Sequence, residues 1–381
     1  MRLELWPLTV AAPLAAFVAT GCSSDGNSGS NPGTGGAALS AGAASTGAAA
    51  NAGGSTSGTA GTSSQAGATV AGSSSGGAGG GTGGSPANGG TNPNGGGGSV
   101  TGGSGGSGLL GRTADETCTR WKTDTADLDE GTWSGSVATC DAGDISANGR
   151  DNALRLFNLV RWLADLPAVV TEDSRNQQAQ ACALMMTAND MLSHTPPMDW
   201  KCYSDLGAKG ASTSNISGGP GVASVFSYMV DSGNEATFGH RRIVLSNELG
   251  PIGLGSAGKD GSSCMQNIGG TGKAGKAWMA WPPPGPFPMQ AYTDVYERSL
   301  DSTGWSIQSK SIDLSQAQVT VTSGGQSKAV KVEQLMGTYG QAKAIRIVLD
   351  GWKATAGQTY AVSVSGVATP ISYEFQLIDC K

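Results

Sequence analysis

Between Ser23 and Ser107 the chain is almost wholly Gly, Ser, Ala, Thr and Asn, with no aromatic residue and one charged residue, Asp25. Such a segment cannot bury enough apolar surface to offset the entropy of ordering it. It absorbs nearly half of the 62 glycines and leaves residues 109–381 of the 381 to fold. That length suits one medium domain and a small one. A Gly/Ser-rich linker of roughly 85 residues has a root-mean-square span on the order of 50 Å, enough to act as a tether through a surface layer. Its Gly102-Gly103-Ser104-Gly105-Gly106 matches the G-x-S-x-G pattern of serine hydrolases. With no strand before it and no helix after it, the match is compositional.

What precedes the linker reads as an export signal: Arg2, an apolar run from Leu5 to Val18, then small residues up to Cys22. The run is short for a membrane span and is interrupted by Pro7 and Pro13. Ala19-Thr20-Gly21-Cys22 resembles a bacterial lipobox, which implies a lipidated Cys22 and a membrane anchor. Ser23 is not the aspartate associated with inner-membrane retention, so an outer-membrane or cell-surface lipoprotein is expected. Ala19 stands where that motif prefers Leu, and simple secretion is the alternative. Setting Cys22 aside, Cys118, Cys140, Cys182, Cys202, Cys264 and Cys380 form an even set. In an exported chain this implies three disulfides, with fifteen connectivities possible. The preferred pairing is Cys118–Cys140, Cys182–Cys202 and Cys264–Cys380. A net charge of -6 with scattered acids argues against a nucleic-acid partner.

Residues 109–149 form a cysteine-bearing lead-in. Apolar residues at three- and four-residue steps (Ala153, Leu156, Phe157, Val160, Leu163) predict a helix over 150–166, stopped by Pro167. A second helix, capped by Thr171 or Ser174, runs through Met185 and Met186 to Ser193-His194. A glycine-rich loop over 207–221 leads to a third, short helix over 222–231, with Val222, Val225, Phe226 and Met229 on one face. Trp278–Trp281 reads as a strand. From about Tyr292 short alternating runs separated by turn residues predict a small β-sandwich.

The chain has two histidines, His194 in Leu-Ser-His-Thr-Pro-Pro and His240 in Phe-Gly-His-Arg-Arg. Histidine is the side chain best suited to metal binding or proton transfer near neutral pH. Arg241 and Arg242 are expected at a helix end, in surface pairs or on an anion. Gly270-Thr271-Gly272-Lys273-Ala274-Gly275-Lys276 approaches a P-loop, but Ala277 stands where the magnesium-binding Ser or Thr belongs.

Taken in order, Leu192-Ser193-His194-Thr195-Pro196, Ser214-Asn215-Ile216, Tyr228-Met229-Val230-Asp231, Gly239-His240-Arg241-Arg242-Ile243-Val244-Leu245 and Gly253-Leu254-Gly255 resemble the CAP superfamily (cysteine-rich secretory, antigen 5, pathogenesis-related; SCP-like) in its bacterial form. The resemblance covers roughly 151–281. It implies an α+β chain: a CAP-type three-layer α-β-α sandwich at 150–285, then a small all-β sandwich at 290–381. The signal (1–22), the disordered linker (23–108) and the lead-in (109–149) come before it. Family clefts often hold two histidines and two acids, and some bind zinc. His194 and His240 match the histidines and Asp231 one acid. Ser214 stands where the family's Glu-Asn motif has its glutamate, with Asn215 retained as a cleft-lining residue.

Two imidazoles and the Asp231 carboxylate would suffice for a zinc site open to water. The Ser214 departure removes the obvious general base, with Glu235 a substitute in a loop of unknown direction. A triad of Ser193, Ser214 or Ser217 with a histidine and Asp231 lacks a nucleophile elbow. The resemblance thus implies, first, a non-enzymatic cleft presenting a site for an extracellular lipid, glycan or protein. The alternatives are a zinc-dependent hydrolase of peptides or cell-wall material using His194, Asp231 and His240, and a structural envelope protein. Fold alone does not choose between them.

Overall fold

The computed structural model describes residues 111–381, and helix α1 (Ala114–Asp124) opens them. Thr113 and Glu116 form a reciprocal capping box at its start. The signal, Cys22 and the linker lie outside the described residues. Helix α2 (Ala147–Leu163) carries the apolar stripe that predicted it, with Phe157, Leu159, Val160 and Leu163 fully buried. Helix α3 (Asp173–Asn189) is capped by neither Thr171 nor Ser174; Glu172 holds the cap position in extended backbone. It ends at Asp190, left-handed at φ 48°, four residues before His194.

The loop expected over 207–221 is instead α4 (Asp205–Ser212), with Ser204 accepting from Gly207 N–H, followed by β1 (Ser214–Ser217). The glycines that suggested a loop are there because α4 lies against α3. A Cβ on Gly210 would sit 2.1 Å from the Gln178 carbonyl oxygen. Helices α5 (Gly221–Val230) and α6 (Gly239–Val244) and strands β2 (Gly253–Ser256) and β3 (Ser263–Gln266) complete this part. The three strands form an antiparallel sheet in the order β1-β3-β2. Alternation along its strands fills two layers. Ile216 and Cys264 pack with Cys182, Met185 and Met186 of α3, while Leu254 and Met265 join the core built on α2 and α5. Gly253 and Gly255 explain the Gly-Leu-Gly motif, since a Cβ on either would come within 2.2 Å of α3 backbone.

Strands β4 (Trp278–Trp281) and β5 (Gly285–Pro288) come next. A short helix, α7 (Leu300–Thr303), leads into β6 (Trp305–Ser309). Then follow β7 (Gln318–Ser323), β8 (Gln326–Lys328), β9 (Val330–Gln334), β10 (Lys343–Leu349), β11 (Thr359–Ser365) and β12 (Ile371–Ile378). They form two sheets, β4-β6-β10-β9 and β5-β12-β11-β7-β8. Trp305 bridges them, its ring 4.9 Å from Phe375 and 5.7 Å from Tyr360. The boundary expected near 285–290 therefore moves. Segment 278–288 belongs to the β region, because β4 pairs with β6 and β5 runs parallel to β12.

The architecture is thus α+β. Three disulfides are present, but the preferred pairing is corrected throughout: they are Cys118–Cys380, Cys140–Cys202 and Cys182–Cys264. Sequence neighbours do not pair because each bridge joins separate elements: α1 to the residue beyond β12, the lead-in to the segment before α4, and α3 to β3. Disulfides fit an oxidising, extracellular compartment. Among the described residues no helix is long and apolar enough to cross a membrane.

Two buried arginines of α6 join the helical part to the β region. Arg241 donates to Met229 and Val230 carbonyls (2.6 and 2.8 Å), closing the C-terminus of α5, and to the Gly304 carbonyl and Ser306 Oγ. Arg242 donates to Thr237, Met336, Gly337 and Gln341 carbonyls. Arg241 thus stands at a helix end, as expected, while the expectation of surface pairs is corrected for both, because both are buried. Burial lowers the Arg241 pKa to about 9 and that of Arg242 to about 10, which leaves both charged at neutral pH.

The lead-in has a task of its own. Glu130 accepts from Val222 and Ala223 N–H (2.6 and 2.8 Å) at the start of α5, a carboxylate at the positive end of a helix. Burial raises its pKa above the ordinary glutamate value, against the pull of those two hydrogen bonds. The folded state therefore holds the proton more tightly, so this group's contribution to stability falls as pH rises from the ordinary glutamate pKa through the folded one. Urea denaturation across that window is expected to show a flatter pH slope in Glu130→Gln than in wild type. Gly255→Ala should cost more than about 2 kcal/mol in the same assay, because helix α3 must move off the sheet.

Candidate functional site

Helix α5 ends with Asp231 in the left-handed region (φ 54°), which turns its wholly buried carboxylate back toward α6. Asp tolerates that backbone better than most residues. Three groups meet this carboxylate. Oδ1 lies 2.8 Å from His240 Nδ1 and accepts from Asn234 Nδ2 at 3.0 Å, while Oδ2 accepts from Arg241 N–H at 3.1 Å. Asn234 Nδ2 also lies 3.2 Å from His240 Nδ1. A carboxylate beside Nδ1 fixes the proton there and sets the orientation of the ring. The Tyr228 ring packs on the imidazole, centroids 4.9 Å apart and tilted by 47°.

Asn215 approaches from the sheet, its Nδ2 donating to the His240 carbonyl at 3.3 Å. Ser214 precedes it on β1 and so projects from the opposite face of the sheet. There it keeps company with Ile216 of the α3 layer and is fully buried. The two residues expected to line one cleft thus face different layers, because neighbours on a strand alternate. His194 lies in the segment between α3 and α4, its Nδ1 2.8 Å from the Ala211 carbonyl, which places the ring proton on Nδ1. Glu235 is half-buried and turns its Oε1 to Gly233 N–H (3.0 Å).

Tested against a zinc centre, these residues do not fit. Both Asp231 oxygens are engaged within the protein, and among the described residues no three His, Cys, Asp or Glu side chains are grouped to hold a metal ion. The arrangement instead presents an imidazole held by a buried acid, framed by an aromatic ring and two asparagines. Sequence reasoning missed Asn234 and the Arg241 amide. Asn234 had a local signal, since Asp231-Ser232-Gly233-Asn234 is a turn composition following a helix. A separate polar hollow of about 440 Å³ is lined by Asp144, Arg150, Asp173 and Gln177 together with the buried Asn176 and Gln180. None of the residues singled out from the sequence lines it.

Comparison of the chain with protein-family models, curated proteins and solved structures finds no match.

Asp231→Asn keeps a side chain that accepts the left-handed backbone but removes the charge. It is expected to cost about 1–3 kcal/mol and to shift the ring signals of His240 more than those of His194, measured by urea denaturation and by histidine-selective NMR.

Proposed function

We propose that this chain is an exported CAP-type protein that presents a ligand-binding cleft outside the cell without catalysing a reaction. In this reading the helical part is the CAP three-layer sandwich, and its cleft is bordered by His194, His240 and Asn215. The long Gly/Ser segment and Cys22 make it a lipid-anchored surface protein. The observation that carries the reading is the fate of the Asp231 carboxylate, whose oxygens are committed to His240, Asn234 and the Arg241 amide. A general base must reach the proton it removes, and this acid is occupied in holding a ring and a helix start. The ligand class is an extracellular lipid or glycan, or a protein surface, met by an oriented imidazole beside an aromatic ring.

A second reading, hydrolysis, draws on the same pair, because an imidazole oriented by a carboxylate also serves nucleophilic catalysis. It requires a metal or a serine brought to His240. A third, a purely structural envelope protein, expects a His194→Ala/His240→Ala double variant to keep every property of the wild type.

Thermal-shift measurements on the purified protein separate the three. The probes are zinc, soluble peptidoglycan fragments, and vesicles of phosphatidylethanolamine and phosphatidylglycerol. Binding predicts that the fragments or the vesicles raise Tm, that His240→Ala abolishes the rise, and that the probe is recovered uncleaved. Stoichiometric zinc with cleavage of the fragments would replace this reading by hydrolysis. No shift with any probe, in wild type or double variant, would favour the structural role.

A further inference from the structure

The three disulfides differ in how solvent reaches them. Cys182 and Cys264 are sealed between α3 and the sheet, at 0% and 1% exposure, while Cys380 is 3% exposed and its partner Cys118 half-buried. Cys140 is exposed and its partner Cys202 half-buried. Both of these residues also hold left-handed backbone, φ 54° and 59°. That region is costly for any residue with a Cβ and persists only where the surroundings impose it.

The bridge joins two segments that need it. Cys140 sits at the tip of a hairpin closed by the bridges Trp133–Ile145 and Ser136–Asp141 and by the Trp133 indole donating to the Ala142 carbonyl. Cys202 closes the segment 190–203, which contains neither helix nor strand and carries His194. Other ties on that segment include Asn189 with the Lys201 backbone (3.0 Å each way), Met191 N–H donating to the Met186 carbonyl, the His194–Ala211 contact, and Leu192, Trp200 and Tyr203 packed on the α3 layer. The hairpin on the far side of the bridge also supplies Ala142, Gly143 and Asp144 to the polar hollow, opposite Leu206 of α4.

We propose that Cys140–Cys202 is a site of thiol–disulfide exchange that sets the order of the His194 segment, a redox latch on the cleft. The inference that this regulates ligand binding rests on the cleft reading above. The co-reactant is a dithiol. One of its thiolates attacks Cys140 Sγ, the S–S bond breaks, and Cys202 leaves as a thiolate that takes up a proton. The second thiol then attacks the mixed disulfide and releases Cys140. The protein gains two electrons and two protons, and the dithiol becomes its own cyclic disulfide. With the bond open, both cysteines are able to leave the left-handed region, and the hairpin tip and the His194 segment separate. Cys182–Cys264 and Cys118–Cys380, each with at least one sealed cysteine, continue to hold the core.

The test is graded dithiothreitol on the folded full chain, followed by alkylation, peptide mapping and histidine-selective NMR. Only two ring spin systems exist, one on each side of the question. Cys140 and Cys202 are expected to be alkylated at least about tenfold sooner than the other four cysteines, since access governs exchange. The His194 signals should shift or broaden while those of His240 stay. Cys140→Ser/Cys202→Ser should show the altered His194 signals without reductant. Opening of Cys118–Cys380 first or at the same rate overturns the proposal. So does an unchanged His194 in the selectively reduced protein. If His194 moves but the vesicle and peptidoglycan shifts in Tm do not, the latch stands and the cleft reading fails.

Discussion

Three buried guanidinium groups hold the described residues together, and all three bond chiefly to backbone carbonyls. Arg161 donates to the carbonyls of Pro167, Val244 and Ser246, which fastens α2 to the end of α6. Arg241 and Arg242, one turn earlier on α6, reach α5 on one side and the β region on the other. A buried charge is tolerated only when its hydrogen-bonding capacity is met. A guanidinium offers five donors in a fixed fork, so it is suited to gathering carbonyls from several elements at once. Helix α6 has only six residues and could not be stable alone. It exists because these bonds fix both its ends.

That constraint also ties the candidate site to the β region. His240 lies between Gly239 and Arg241, and the ring of Tyr339, from the β9–β10 connection, packs 3.5 Å from where a Gly239 Cβ would be. Met336 N–H donates to the Ala236 carbonyl at 2.9 Å in the same neighbourhood. The segment that carries His240 is therefore set by the sandwich as much as by the helical layers. The β region holds no histidine, yet it takes part in the geometry of the site by fixing the backbone on which the histidine stands.

Much of the helical part was legible because its signals are periodic. Helix α2 shows its apolar stripe, and Met185 and Met186 of α3 are fully buried, whereas Met191 beyond its end is exposed. Helix α4 was not legible, because Gly207 and Gly210 look like loop residues when their reason, contact with α3, is tertiary. The disulfides failed for a similar cause: pairing depends on which elements meet in space, and Cys118 meets Cys380 across nearly the whole folded chain. Of the site, His240 stood out as one of two histidines, and Asp231 was readable only through the family resemblance. The part played by Asn234 depends on a turn whose direction local sequence does not give. For Arg241 and Arg242 a helix-end role was legible, but nothing in a run of two arginines announces that both are buried.

The Asp231 carboxylate has a further role that bears on the chemistry. It is the acid whose charge acts on both Arg241 and Arg242, two cations buried with few other counterions. Lending this carboxylate to a water molecule or a metal would weaken its hold on the Arg241 amide and on His240 together. It would also alter the field that keeps the two guanidinium groups charged in the interior. An acid used as a counterion and as a backbone acceptor is poorly placed to shuttle protons, since each protonation would disturb the joint between the helical part and the β region. The same fixity favours recognition, because an imidazole locked in one orientation meets a ligand without further ordering.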